Sequence, residues 1–224
     1  MRKSRLSFIF TFFLSIVIPA AHAQVTVKDI DGNVYKTITI GKQLWMSENL
    51  KTTKYRNGEE IGTTGTASQD IRITVLPKYQ WEYNGIESNS DIYGRLYTWY
   101  AATDNRGVCP LGWHVPTDAE WSTLITFLGG EIPAYGKLKE SDEIHWLKYD
   151  TGTNETGFTA LPGGLRNSRG PFDDLGISGY WWSSSEGGTF EAWCQIMNNT
   201  PGSLNRNLFL KRNGLSIRCV MTTY

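Results

Sequence analysis

The chain has 224 residues, with 22 Lys and Arg against 22 Asp and Glu, and it carries 9 Trp, 11 Tyr and 23 Gly. That length fits one large domain or two small ones, and with no basic run or clustered Lys and Arg the balanced charge argues against nucleic acid and anionic membranes as partners. The abundance of rings and glycines suggests short strands and turns packed around large side chains rather than a helical bundle.

Taken in order, Arg2, Lys3 and Arg5 form a basic start, residues 6–18 an apolar run too short to span a bilayer, and Ala21-His22-Ala23 a small-x-small cleavage signal. Residues 1–23 are therefore expected to be a signal peptide, and residues 24–224 a single exported domain. Three of the 22 basic residues lie in the leader, so the mature chain carries 19 against 22 acidic ones, a net charge of −3. The residue after the cleavage point is Gln24 rather than Cys, so a lipid-anchored form is not expected, and no later apolar run is long enough for a transmembrane segment.

Residues 25–46 alternate as strands, VTVKD, VYKTITI and QLWM, separated by Ile30-Asp31-Gly32-Asn33 and Gly41-Lys42. Asp29, Asp31 and Asn33 have the spacing of a calcium loop. The obligatory Gly position holds Val34, however, and no Glu closes the loop, so calcium is not expected there. Residues 47–76, with GTTGTAS at their middle, read as a surface loop. Tyr79, Trp81 and Tyr83 then alternate as a strand that could offer an edge to a protein partner. Tyr93, Leu96, Tyr97 and Tyr100 are spaced for a helix over residues 95–103.

The clearest element lies in CPLGWHVPTDAEWSTLITFLGG, residues 109–130. Thr117 and Glu120 form a capping-box pair, which starts a helix at Asp118. Trp121, Leu124, Ile125 and Leu128 make one apolar stripe, and Gly129-Gly130 supplies the stop. Residues 131–157 read as polar and turn-rich, and neither His114 nor His145 is assigned chemistry. From Phe158 onward FTALPGGLR, GYWWSSSE, FEAWCQIMN, LNRNLFLK and LSIRCVMT predict short strands of an antiparallel sheet.

Cys109, Cys194 and Cys219 allow one disulfide and one leftover thiol in an oxidising compartment. A Cys109–Cys219 bridge would tie the approach to the helix to the last strand, contributing ~4–5 kcal/mol on the chain-entropy view. Cys194–Cys219 is the competing pairing, and three reduced, buried thiols are the third alternative.

Six collinear segments, DIDGNVYKTITIGKQLWMSENLKT, YGRLYTWYAA, CPLGWHVPTDAEWSTL, NETGFTALPGGLR, GYWWSSSE and GLSIRCV, resemble the Fibrobacter succinogenes major paralogous domain, an exported family of Bacteroidota and relatives. The resemblance runs from about Val27 to Val220. It implies a compartment and a fold without an established activity. VPTDAEW, GFTALPGG and LSIRC are also similar to the formylglycine-generating enzyme fold, a variation on the C-type lectin fold. That likeness implies an α+β class, with two helices packed on a small twisted antiparallel sheet with long irregular loops.

Formylglycine-generating enzymes hold copper on two closely spaced cysteines just before the final strand. Here Cys194 lies 25 residues from Cys219 with no thiol beside it, which disfavours a metal-dependent oxidase. Ser183-Ser184-Ser185 has no adjacent base in sequence, and Asp173-Asp174 reads as a solvated turn. No catalytic residue, metal or cofactor is therefore expected. Residues 163–190 mix planar polar groups with Trp where lectin-like folds elaborate ligand loops, which suits a sugar. Neither the Glu-Pro-Asn nor the Gln-Pro-Asp motif of calcium-dependent lectins occurs, so glycan binding would be direct. Alternation sends one of these two tryptophans inward and the other toward solvent or a loop; Trp182 is expected in the core, which leaves Trp181 as the ring that could face a ligand. The expectation is a non-enzymatic binding module for carbohydrate or a surface protein, with Arg166, Arg169, Asp173, Trp181, Glu186 and Asn198 as candidate ligand-binding residues. A structural component of a surface assembly is the other alternative.

Overall fold

The computed structural model describes residues 25–142, 144–147 and 152–222, so the signal-peptide reading lies outside the described residues. The Asp31-Gly32 turn joins β1 (Thr26–Lys28) to β2 (Val34–Ile40), and Gly41-Lys42 joins β2 to β3 (Gln43–Met46), as the alternation predicts. The last strand, β12 (Val220–Thr222), closes antiparallel on β3, giving a four-stranded sheet of order β1-β2-β3-β12. The residues that gave the calcium-like spacing order this hairpin. Asp29 accepts from the Asn33 backbone N–H (2.9 Å) and the Tyr35 hydroxyl (2.6 Å), while Asp31 accepts from the Thr53 N–H (2.6 Å) and the Thr52 hydroxyl (2.9 Å).

The second sheet contains β4 (Gln80–Trp81), β5 (Leu96–Thr98), β6 (Gly163–Arg166), β7 (Phe172–Leu175), β8 (Ser178–Glu186), β9 (Glu191–Asn198), β10 (Leu204–Leu210) and β11 (Gly214–Leu215). Its order is β10-β9-β8-β6-β11-β5-β4, with β7 also on β6. Pairing is antiparallel except between β6 and β8, where Gly164 faces Gly179 in parallel register. The sheet is thus mixed, where an antiparallel one was expected.

Four α-helices occur among the described residues, where two were expected: α1 (Glu87–Tyr93), α2 (Trp99–Ala102), α3 (Asp118–Phe127) and α4 (Glu131–Leu138). α3 begins at the expected residue with both halves of the capping box formed. Trp121, Leu124 and Leu128 are buried, and Gly129 and Gly130, both at positive φ, turn the chain into α4. Residues 131–138 were expected to be turns. They form a helix because Ala134, Tyr135 and Leu138 share one face against the core and Pro133 falls in the tolerated first turn. The helix expected over residues 95–103 is instead strand β5 followed by the single turn α2. Leu96 and Tyr97 pair with β4, and Thr98 caps α2 by accepting from the Ala101 N–H. Polar α1 precedes that strand, and Gly94, at φ +76°, ends it. A Cβ there would lie 2.6 Å from that of Asn49.

Two buried clusters lie on opposite faces of β8 and of β3. Trp182 joins Tyr97, Trp99, Trp113, Ile217 and Cys219 in one. Trp181 joins Trp45, Trp121, Leu124, Phe158 and Val220 in the other. Trp45 and Trp121 meet with ring centroids 4.8 Å apart, so the capped helix packs on the sheet that the final strand completes. A Cys109–Cys219 disulfide, with Cα atoms 6.0 Å apart, links the approach to α3 with the residue before β12, and Cys194 is a free, buried thiol.

Candidate functional site

The six residues read from the sequence do not converge. Arg166 is fully buried: its guanidinium stacks 4.0 Å from the centroid of the Trp81 ring and donates to the carbonyls of Ala67 (2.9 Å) and Asn167 (3.1 Å) and to that of Gln69. Burial pushes its pKa down to about 10. Trp181 is 2 % exposed, and its indole N–H donates to Asn49 Oδ1 at 2.8 Å. The side of β8 that alternation left open to solvent is covered by α3, so both tryptophans are core. Asp173 is exposed on β7. Glu186 receives the Lys211 ammonium at 2.7 Å, while Asn198 accepts from the Ser178 hydroxyl and donates to that of Ser203. Asn198 is paired with Ser178, at the other end of β8 from Glu186, which places the two roughly 25 Å apart at strand rise. Arg169 alone sits on a concave surface that other cations share.

That surface is built by clamping residues 66–76 onto the sheet. Arg166 holds the carbonyls of Ala67 and Gln69, the Ile71 N–H donates to the Ser168 carbonyl (2.9 Å), and Arg212 Nε donates to the Thr74 carbonyl (3.2 Å). The β6–β7 turn closes against the same segment. Gly170 lies so near Ser68 that a Cβ would fall 2.0 Å from its carbonyl oxygen, and the Ser168 N–H donates to Asn213 Oδ1. Residues 47–76 were expected to be surface loop. Leu50, Tyr55, Ile61 and Ile71 are in fact buried, and the segment is fastened by side chains nearly a hundred residues away.

The result is a cleft of about 340 Å³ lined by Arg72, Asn167, Ser168, Arg169, Leu210 and Arg212. Arg72 pairs with Asp70 at 2.7 Å in an exposed bridge. Arg72 holds that carboxyl below its usual range, with a smaller contribution from the charge on Arg169. Among the described residues the Arg169 guanidinium makes no hydrogen bond or ion pair; only its backbone N–H is engaged, by Asn167 Oδ1. Three arginines thus line the cleft, and among the described residues only Arg72 has an ion-pair partner, which leaves two guanidiniums without one. The sequence shows no clustered basic face. Folding makes one, because the three arginines come from three loops brought together by the clamps, and no linear signal could have found it.

A second concavity, of about 290 Å³, is lined by Arg56, Asp104, Trp113, His114 and Ser184 among others. Asp104 is bound there by Arg106 (2.9 Å) and Lys78 (2.7 Å), and the Arg106 bond, reinforced by Lys78, holds its carboxyl well below the usual range. His114 pairs with Glu120 at 2.7 Å. The serines of residues 183–185 have structural partners. Ser183 and Ser185 accept from the N–H groups of Ser185 and Asp118, and Ser184 donates to the Pro116 carbonyl. The edge of β4 that could have received a partner strand is already met by Gly62, whose carbonyl accepts from the Gln80 N–H at 2.9 Å. Among the described residues, no three His, Cys, Asp or Glu side chains are grouped to hold a metal ion, and no helix is long and apolar enough to cross a membrane.

Fold and cleft together define a disulfide-bonded α+β protein with a cationic surface site. The family model described as the Fibrobacter succinogenes major domain matches residues 38–221, and the chain belongs to that family. No curated protein and no solved structure matches it.

Proposed function

We propose that the chain is an exported, non-enzymatic binding module of C-type-lectin-like fold that takes an acidic carbohydrate in the arginine cleft. The observation that carries this reading is the Arg169 guanidinium, exposed, without an ion-pair partner among the described residues, and flanked by Arg72 and Arg212. A guanidinium fork meets a carboxylate or sulfate in two parallel hydrogen bonds, and Asn167 beside it suits sugar hydroxyls. The lectin-like assignment is supported by the capped helix packed on the sheet and by the return of the last strand to β3. The disulfide suits an oxidising compartment. Cys194 supports the non-enzymatic reading, since burial pushes its thiol up to about 12, far from a reactive thiolate.

The test is calorimetric titration with polygalacturonate, a sulfated polysaccharide and neutral dextran, with and without a calcium chelator. The acidic polymers should bind irrespective of calcium, and Arg169→Ala should weaken them at least tenfold with its melting temperature unchanged. Equal binding of dextran, or indifference to Arg169→Ala, would overturn the proposal.

A further inference from the structure

The clamped segment that supplies Arg72 also presents three large aliphatic side chains to solvent. Ile73 is 94 %, Val75 82 % and Leu76 58 % exposed, while Ile71 before them and Pro77 after them are buried. The backbone between those anchors is held. The Thr74 N–H donates to the Ile71 carbonyl, the Thr74 carbonyl receives Arg212, and the Pro77 carbonyl receives the Thr98 hydroxyl (2.6 Å). Leu76 sits at φ +43°, a left-handed backbone that aliphatic residues rarely adopt. Leu210, 45 % exposed, lines the adjoining cleft. Single exposed aliphatics are ordinary on protein surfaces, but three within four residues on a fixed turn beside three arginines make one amphipathic face.

We propose that this face docks on an anionic lipid surface: Ile73, Val75 and Leu76 enter the headgroup layer while Arg72, Arg169 and Arg212 engage the acidic headgroups. The inference rests on the reading that the cleft takes an anionic group, and it adds that the aliphatic tip lets the same cations meet acidic headgroups on a membrane. Charge decides the occupant. A second copy would bring the same guanidiniums and be repelled, whereas a surface of acidic headgroups complements both the cations and the apolar tip. The turn offers no aromatic face on which a sugar ring could stack, so carbohydrate in the cleft does not account for the exposed Ile73, Val75 and Leu76.

The experiment is co-sedimentation of the exported protein with phosphatidylcholine vesicles, with and without about 30 mol % phosphatidylglycerol, at low and high salt. A parallel titration with soluble polygalacturonate follows the cleft alone. The wild type should sediment with the anionic vesicles and be released by salt. The double variant Ile73→Ser/Val75→Ser should bind those vesicles at least tenfold more weakly while keeping its affinity for polygalacturonate. Arg169→Glu should lose both. Leu76→Asn, which eases the left-handed backbone, should keep or raise the melting temperature and still weaken vesicle binding, so that a loss through misfolding is recognised. Undiminished vesicle binding by the double variant, or equal sedimentation with neutral vesicles, overturns the docking. Binding of polygalacturonate without vesicles overturns the docking and leaves the carbohydrate reading standing. Salt-sensitive vesicle binding without polygalacturonate binding does the reverse.

Discussion

Asn49 carries more of this fold than its size suggests. Its Oδ1 accepts from the Trp181 indole (2.8 Å) and from Nε (3.0 Å) and Nη2 (2.7 Å) of Arg218, and its Nδ2 donates to the Tyr93 carbonyl (2.8 Å). Arg218 also donates to the carbonyl of Phe158 and lies 4.2 Å from the centroid of that ring. A buried guanidinium answered by amide and carbonyl oxygens, with no carboxylate bound to it among the described residues, is held at an electrostatic cost. Burial pushes its pKa down to about 9. Asn49→Ala would leave the indole N–H without its acceptor and the guanidinium with backbone carbonyls alone, so it should destabilise by about 3–5 kcal/mol. Denaturant titration should show the midpoint falling at constant slope; a change below about 1 kcal/mol would mean that water replaces the amide. The network explains why Trp181 is core rather than a ligand-facing ring. Alternation along β8 correctly sends the two rings to opposite faces, but only the fold reveals that Asn49, 132 residues earlier, waits on the second.

At the level of the element, the signals that act over short stretches of chain are legible in the sequence. The start of α3 depends on Thr117, Glu120 and an apolar stripe within a dozen residues, and the hairpins of β1–β3 depend on turns between alternating runs. Thr117→Ala removes the acceptor for the Glu120 N–H and should cost about 1 kcal/mol. Thermal melts would show this as a modest drop in Tm that Thr117→Ser largely recovers. Elements fixed by distant contacts were not legible. The helical spacing of Tyr93, Leu96, Tyr97 and Tyr100 is real, yet pairing with β4 and β11 takes Leu96 and Tyr97 into a strand. α4 hides behind Pro133 and Gly136, and the segment of residues 66–76 looks loose because its fasteners, Arg166 and Arg212, belong to the other half of the chain. The same distance hid the cleft, of which the sequence offered only Arg169.

For the molecule as a whole, the Cys109–Cys219 bridge closes a loop with a sequence separation of 110 and stabilises by about 4–5 kcal/mol on the chain-entropy view. Alkylation without reductant followed by intact mass should therefore add one group, on Cys194, and only in denaturant because that thiol is buried. Labelling of three thiols would show that the bridge is absent. The pairing of β12 with β3 carries a consequence for biogenesis. Until residues 220–222 are in place, Trp45 and its neighbours face an open strand edge, and both buried clusters lack members from the chain's far end. A polypeptide cut short near residue 210 would keep nearly all its sequence yet present that raw edge to proteases, so premature termination should be cleared rather than tolerated.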